Sequence, residues 1–267
     1  MLQDLDLVLA QVWPWAALPF GVVFGSFANV LIHRLPRGES VVHPPSACPR
    51  CGAAIRARDN LPILSWLLLR GRCRRCRAPI SVRYPLVELA NGLLWLLAAH
   101  LSGPTLRAAV LCLLATALLV LALIDLEHQL LPDAITLPGT ALGLAASFLP
   151  GSPLSPLEAA LSALGGYLLF ALVARGWQAW RGVEALGQGD WKMAAMLGAF
   201  FGWRGLLLTV FLATLSGSLV GGVLIARRRG GMQSKLPLGS FLGVAGLAVL
   251  YGGRELLAWY AGFFPEP

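Results

Sequence analysis

Ala108-Ala-Val-Leu-Cys-Leu-Leu-Ala-Thr-Ala-Leu-Leu-Val-Leu-Ala-Leu-Ile124 is an unbroken apolar run that ends on an acid, Asp125. Its length approaches the ~20 residues a helix needs to cross the hydrocarbon core of a bilayer, and it lacks the period-two alternation of a strand. Similar runs recur at Trp13–Ile32, Leu86–Leu101, Ile135–Leu149, Leu157–Leu172, Leu206–Ile225 and Leu238–Tyr251, with a short, glycine-broken one at Lys192–Trp203. Backbone groups in lipid must be satisfied within the segment, so continuous runs mean helices and not a barrel. The expected fold is all-α: a polytopic membrane bundle of about eight transmembrane helices. Composition agrees, because 267 residues that are 57% hydrophobic and only 13% charged, with a mean hydropathy of +0.71, cannot cover a water-soluble domain with polar surface.

The residues before the first run carry Asp4 and Asp6 and no Lys or Arg, which argues against a cleaved signal peptide. Charge sets the expected orientation. Between Arg34 and Tyr84 stand eleven arginines against Glu39 and Asp59 alone. The positive-inside tendency makes this segment cytosolic and the N-terminus external. Counting through eight spans then puts the 125–134, 175–192 and 227–235 connections on the cytosolic side, in keeping with Arg227, Arg228, Arg229 and Lys235. The arginines are read as topology rather than as a nucleic-acid or lipid-headgroup site. Three blocks follow: a first span (1–33), a cytosolic four-cysteine insert (34–84) and a seven-span body (85–267). Glycines spaced by four, such as Gly21/Gly25, Gly139/Gly143, Gly198/Gly202, Gly217/Gly221 and Gly239/Gly243, suit close helix packing.

Four of the five cysteines form Cys48-Pro-Arg-Cys51 and Cys73-Arg-Arg-Cys76. Two residues between thiolates let each pair grip one tetrahedral ion, so the pattern reads as a zinc-ribbon-like insert with a closed, structural site of four thiolates. Two disulfides are the alternative, disfavoured where thiols stay reduced. Cys112, inside an apolar run, reads as a packing residue, and His33, His43 and His128, metal-ligating or catalytic by residue type, read first as interfacial polar residues.

Acids at the edge of hydrocarbon are costly and therefore functional candidates. Asp125 closes one span and opens Asp125-Leu-Glu-His-Gln-Leu-Leu-Pro-Asp133. Asp190 closes Gly187-Gln-Gly-Asp190 at the start of the short span. The span count puts both on one membrane face. Two adjacent carboxyls that share a proton can activate water and polarise a carbonyl together. Gly187 and Gly189 would let a substrate backbone approach Asp190, and Lys192 would pair with Asp190 or anchor at the cytosolic surface. A helix cap at Asp190 and a turn at Asp133 account for the same residues without chemistry. Two rival classes are a transporter with ion-binding carboxylates and a membrane-tethered zinc adaptor.

Several motifs, in order, resemble one family. They are Gly25-Ser-Phe-Ala-Asn-Val-Leu-Ile-His-Arg-Leu-Pro36, the Cys48 to Cys76 module with Asn60-Leu-Pro-Ile-Leu-Ser-Trp66 inside it, Arg83-Tyr-Pro-Leu-Val-Glu88, Asp125 to Asp133, Gly187-Gln-Gly-Asp190 and Leu236-Pro-Leu-Gly-Ser-Phe-Leu242. Together they are similar to bacterial type IV prepilin peptidases, membrane aspartyl proteases of the Gly-x-Gly-Asp class. The resemblance covers residues 21–262, with Ala28 where a larger aliphatic is common. It implies an inner-membrane endopeptidase that cleaves the basic leader of type IV prepilins or pseudopilins at the cytosolic face, with no nucleic-acid partner. By motif match Asp125 and Asp190 are the catalytic pair. It further implies N-methylation of the new N-terminus, with S-adenosylmethionine as methyl donor and Gly25, Asn29, Arg34 and Glu88 as candidate residues for that region.

Overall fold

The computed structural model describes residues 2–183, 186–227 and 236–263, and side chains from residue 11 onward. Arg228, Arg229 and Lys235, used above for orientation, lie outside them. Among the described residues the helices are α1 (Leu2–Arg34), α2 (Leu64–Leu68), α3 (Arg83–Ser102), α4 (Leu106–His128), α5 (Asp133–Ala146), α6 (Pro156–Arg181), α7 (Gln188–Ala226) and α8 (Leu238–Ala261), with short connections except for segment 35–82, where only α2 and two 3-10 turns are helical. They form two compact units, 1–116 and 117–267.

The all-α polytopic bundle stands, but the span count does not. Among the described residues six helices, not eight, are long and apolar enough to cross a membrane: Gln11–Arg37, α3, α4, α6, α7 and α8. Two differences account for the change. The run at Ile135–Leu149 folds as α5, which has 14 residues and contains Pro138; at ~1.5 Å per residue it reaches only ~21 Å. The runs at Lys192–Trp203 and Leu206–Ile225 join into the 39 residues of α7, interrupted where Gly202 takes φ 66° and ψ −176°. That left-handed conformation is available to glycine without steric cost, so the chain breaks its helical path there and resumes it.

The expected zinc-ribbon-like insert is also overturned. Among the described residues there is no strand, only isolated bridges between Ala47 and Ala54 and between Arg72 and Pro79. A ribbon needs paired strands leaving its cysteine turns. Here the chain between the pairs is occupied by a 3-10 turn at Ala57–Asp59 and by α2.

In the first unit α1 and α3 run antiparallel through small residues. A methyl group added at Gly21 would lie 2.9 Å from the Gly92 Cα, and one at Gly25 would lie 2.7 Å from the Glu88 Cα. Asn91 Nδ2 donates to the Gly21 carbonyl (2.7 Å) and Asn29 Nδ2 to the Tyr84 carbonyl (3.1 Å). Trp95 Nε1 donates to Thr116 Oγ1 (2.8 Å), and Cys112 is buried beside the Trp95 carbonyl as a packing residue.

In the second unit α7 is the hub. Its first half runs parallel to α5, with Gly139 against Met196 and Gly143 against Ala199 and Phe200. It runs antiparallel to α6, with Gly198 against Ser162 and Gly166 against Ala194. Ser155 caps α6 by accepting from the Glu158 N–H (3.2 Å), with Pro156 at the first helical position, the residue types that start helices. α8 packs on α4, with Gly243 against Ala122 and Leu118.

A Cβ at Gly198 would lie 2.7 Å from the Ser162 carbonyl carbon, whereas one at Gly222 would meet nothing within 4 Å. Gly198→Val is therefore expected to cost about 1–3 kcal/mol through forced separation of α6 and α7, while Gly222→Ala is neutral or stabilising by up to about 1 kcal/mol. Thermal unfolding of the two variants in one detergent checks the contrast.

Candidate active site and metal centre

Asp125 lies one turn from the end of α4, 5% exposed. Its Oδ2 accepts from the Ser240 N–H at 2.7 Å, and the Ser240 hydroxyl stands 3.2 Å away. That hydroxyl also lies 2.8 Å from the Ala122 carbonyl, and with one hydrogen it serves one acceptor at a time. Ser240 is in the first turn of α8, where backbone N–H groups have no helical partner and the helix dipole favours negative charge. The Asp125 carboxylate thus caps a helix other than its own.

Asp190 sits in the first turn of α7. Its Oδ2 accepts from the Gly187 N–H (3.0 Å), and its own N–H donates to the Gly187 carbonyl (3.1 Å). This reciprocal pair closes the Gly-x-Gly-Asp turn as a capping box does. Each acid therefore stands at a helix N-terminus.

Leu131 ties the two together. A Cβ at Gly189 would lie 2.8 Å from the Leu131 Cβ, and one at Gly239 would lie 2.8 Å from the Leu131 Cδ1 and 2.9 Å from the Asp125 Cγ. The loop after α4, the start of α7 and the start of α8 meet on this one side chain, which is itself buried. Asp125 and Asp190 are within electrostatic reach of each other. Of the two glycines before Asp190, only Gly189 is under steric demand; a Cβ at Gly187 would meet the Asp190 Oδ2 at an ordinary 3.6 Å.

Lys192 meets a different partner from the one considered above. Its Nζ lies 2.7 Å from both Asp133 carboxylate oxygens, which joins the first turn of α5 to that of α7. Sequence reasoning also missed Ser240 and Gly239 as neighbours of Asp125. The available signal was Pro237 just before a helix, with Ser240 placed in its first turn.

In the first unit the four cysteines converge, their sulfurs all within 4.8 Å of one another. Cys48 and Cys76 sulfurs are 3.8 Å apart, which matches the ~3.8 Å edge of a tetrahedron with metal–sulfur bonds of ~2.3 Å. Each pair sits in a similar turn. Gly52 N–H donates to the Cys48 carbonyl (2.9 Å) and Cys48 N–H to Ala53 (2.9 Å); Arg77 N–H donates to the Cys73 carbonyl (3.0 Å) and Cys73 N–H to Ala78 (2.8 Å). Gly52 and Arg77 both have positive φ, 67° and 59°. The backbone N–H groups of Cys51 and then Arg50 bring the Cys48 thiol down to about 6. For Cys76 the Ala78 N–H pulls the same way, but desolvation and the neighbouring thiols outweigh it and raise the group to about 11. Four sulfurs so placed can chelate a metal ion.

The remaining candidates divide. Gly25, Asn29 and Glu88 come together where α1 meets α3: Gly25 packs on the Glu88 backbone, Asn29 holds Tyr84, and Glu88 Oε2 accepts from the Ile63 N–H at 2.7 Å. Beside them Asn91 Oδ1 is buried without a hydrogen-bond partner among the described residues. Arg34, at the end of α1, instead holds the first loop of the insert through the Ser40 (2.8 Å) and Pro44 (2.7 Å) carbonyls.

Comparison with known proteins agrees with this two-part architecture. Residues 20–101 match the model of the bacterial peptidase A24 N-terminal domain, and residues 112–222 that of the type IV leader peptidase family. Curated relatives named prepilin leader peptidase/N-methyltransferase include one from Pseudomonas putida, 41% identical over 91% of this chain and 91% of its own. Another, from Burkholderia pseudomallei (strain 1026b), is 39% identical over 92% and 87%, and a third, from Aeromonas hydrophila, is 38% identical over 95% and 97%. No solved structure matches the chain. Carrying both family domains, and similar to these relatives over nearly its whole length, the chain belongs to the prepilin leader peptidase/N-methyltransferase family.

Proposed function

We propose that the protein is a membrane-embedded aspartyl endopeptidase that removes the leader of type IV prepilins or pseudopilins and methylates the new N-terminus. The observation that carries the reading is the meeting of Asp125 and Asp190 at two helix N-termini around Leu131. The names of the relatives support the substrate class and the second activity. Asp125 and Asp190 form the catalytic pair. The ionised carboxyl takes a proton from water as the water oxygen bonds the scissile carbonyl carbon, and the protonated one gives its proton to the carbonyl oxygen. The proton held by the first carboxyl then passes to the leaving amine as the C–N bond breaks, while one hydroxyl of the tetrahedral intermediate returns its proton to the second carboxyl and becomes the carbonyl of the product acid. Gly189 keeps the approach to Asp190 narrow and well placed, and Gly187 closes its turn. The site faces the cytosol of a bacterial inner membrane, supported by the arginines of segment 34–84, with 85–267 as the peptidase body.

The four-cysteine insert holds one structural zinc ion at Cys48, Cys51, Cys73 and Cys76; the all-sulfur donor set favours zinc over harder cations. S-adenosylmethionine is the methyl donor, and its region includes Gly25, Asn29, Arg34 and Glu88. The buried, unpartnered Asn91 Oδ1 is an atom there that a bound group would satisfy. When bound, the donor supplies an electrophilic methyl group for the new amine; the residues named here would hold and orient it.

Asp125→Asn and Asp190→Asn are each expected to lower prepilin cleavage by at least about a hundredfold, the lower range for loss of a general acid or base, without loss of the folded state. In the Asp125→Asn variant the amide oxygen can still accept from the Ser240 N–H. Cleavage by either variant at the wild-type rate in a purified detergent assay would sink the pair.

Lys192→Met and Asp133→Asn are expected to change stability by less than about 1 kcal/mol, because the ion pair is partly exposed. Each should slow cleavage several-fold by loosening the start of α7, and the double variant should be no slower than either single one. Additive losses in that cycle would show that the two side chains do not act together.

Elemental analysis is expected to find one zinc ion per chain, lost in Cys76→Ser. Binding must displace the Cys76 proton, held at about 11, and below about 6 protons also compete for Cys48. Zinc affinity should therefore fall as pH drops from 8 to 5.5, measured by competition with a chromogenic chelator.

A further inference from the structure

The insert carries an apolar face that neither its own fold nor α3 uses. Along α2 and the stretch leading into it, Leu61 is 51% exposed, Leu64 59%, Leu67 57% and Leu68 80%. The opposite face is committed inward. Ser65 is buried, its hydroxyl donating to the Arg58 carbonyl (3.1 Å) and accepting from the Leu61 N–H (2.9 Å). Trp66 donates to the Ile80 carbonyl (3.1 Å) and packs on Gly71. The leucines are therefore held outward by a fixed framework.

The depth of this face is fixed as well. Ile63, the residue before α2, donates its N–H to Glu88 Oε2 at 2.7 Å while its φ of 59° marks a strained turn for a β-branched residue. Glu88 is the sixth residue of α3, about 7 Å along a helix whose 20 residues span only ~30 Å, the thickness of the hydrocarbon core. That contact holds α2 within two turns of the start of α3, the end at which a helix of spanning length approaches the headgroups. Leu86 of the same α3 turn is 57% exposed and Val82, just before the helix, 54%, continuing the apolar surface.

Charge names the occupant. Arg70, Arg72, Arg75 and Arg77 follow α2 directly and are all exposed. Of the two acids that flank them in sequence, Asp59 is taken by Arg74 at 2.6 Å and Glu88 by the Ile63 N–H at 2.7 Å. An apolar strip at the acyl boundary, bordered by unneutralised guanidinium groups, is complementary to anionic phospholipid.

We propose that α2 is an interfacial foot: Leu61, Leu64, Leu67 and Leu68 enter the acyl boundary while Arg70, Arg72, Arg75 and Arg77 bind phosphates of anionic phospholipid, seating the cysteine module on the membrane surface. The full-length protein would be placed in nanodiscs of phosphatidylcholine alone or with added phosphatidylglycerol, and amide exchange followed over 61–77. Exchange is expected to be several-fold slower with phosphatidylglycerol. Leu64→Gln with Leu68→Gln should abolish protection in both lipids, and Arg70→Gln with Arg72→Gln and Arg75→Gln should abolish only the difference between them. A benzophenone amino acid at position 68, a single change at the most exposed leucine, should crosslink to phospholipid. Equal exchange in both lipids, or crosslinking to protein instead of lipid, would overturn the proposal.

Discussion

A carboxylate inside an apolar bundle is tolerable only if its oxygens find donors, because an unpaired buried charge costs several kcal/mol. Asp125 meets this demand with the first turn of α8, through the Ser240 N–H. From that single bond the rest of the second unit follows. α8 must begin against the end of α4, which requires Gly239 and Gly243 at the contacts. The loop after α4 must fold back so that Leu131 seals the space between, and α7 must present Gly189 in its first turn to accept Leu131. The second acid, Asp190, arrives within reach because of that packing rather than through any direct bond to the first.

The same economy appears in the first unit, where a second buried acid, Glu88, does for the insert what Asp125 does for α8. One oxygen accepts a backbone N–H from a distant turn, and a glycine, Gly25, lets the neighbouring helix close over it. Both units thus use a carboxylate on a spanning helix to dock a segment far away in sequence. In one case the docked segment brings a candidate reaction centre; in the other it brings a cysteine module.

Much of this was legible in the sequence, for definable reasons. Apolar runs are long and uniform, so helices and membrane residence follow from composition. Asp125 and Asp190 announce themselves because acids are rare beside such runs, and C-x2-C pairs with short turns have few uses. What escaped is what depends on tertiary contacts. Gly202 does break the helical path, as a glycine between two apolar runs suggests, but the two parts of α7 follow one another with no connecting loop, which the sequence does not reveal. The run at Ile135–Leu149 does not reveal that its helix stops at Ala146. The spacing of the cysteines says nothing of what fills the chain between them, and Asn60-Leu-Pro-Ile-Leu-Ser-Trp66 coils into a helical turn where a ribbon would need strands. Lys192 lies two residues from Asp190 in sequence, yet its partner is on α5, because successive residues at a helix start point in different directions.

The two short helical segments beside the acids have a mechanical meaning for the bilayer. α5 and the part of α7 before Gly202 run side by side from the same end, and both stop at ~21 Å, well short of the ~30 Å of ordinary hydrocarbon. Lipid meeting that face must either shorten its acyl layer locally or leave the helix ends recessed beneath its surface. Either adjustment brings water nearer to Asp125 and Asp190 than their place among apolar helices suggests.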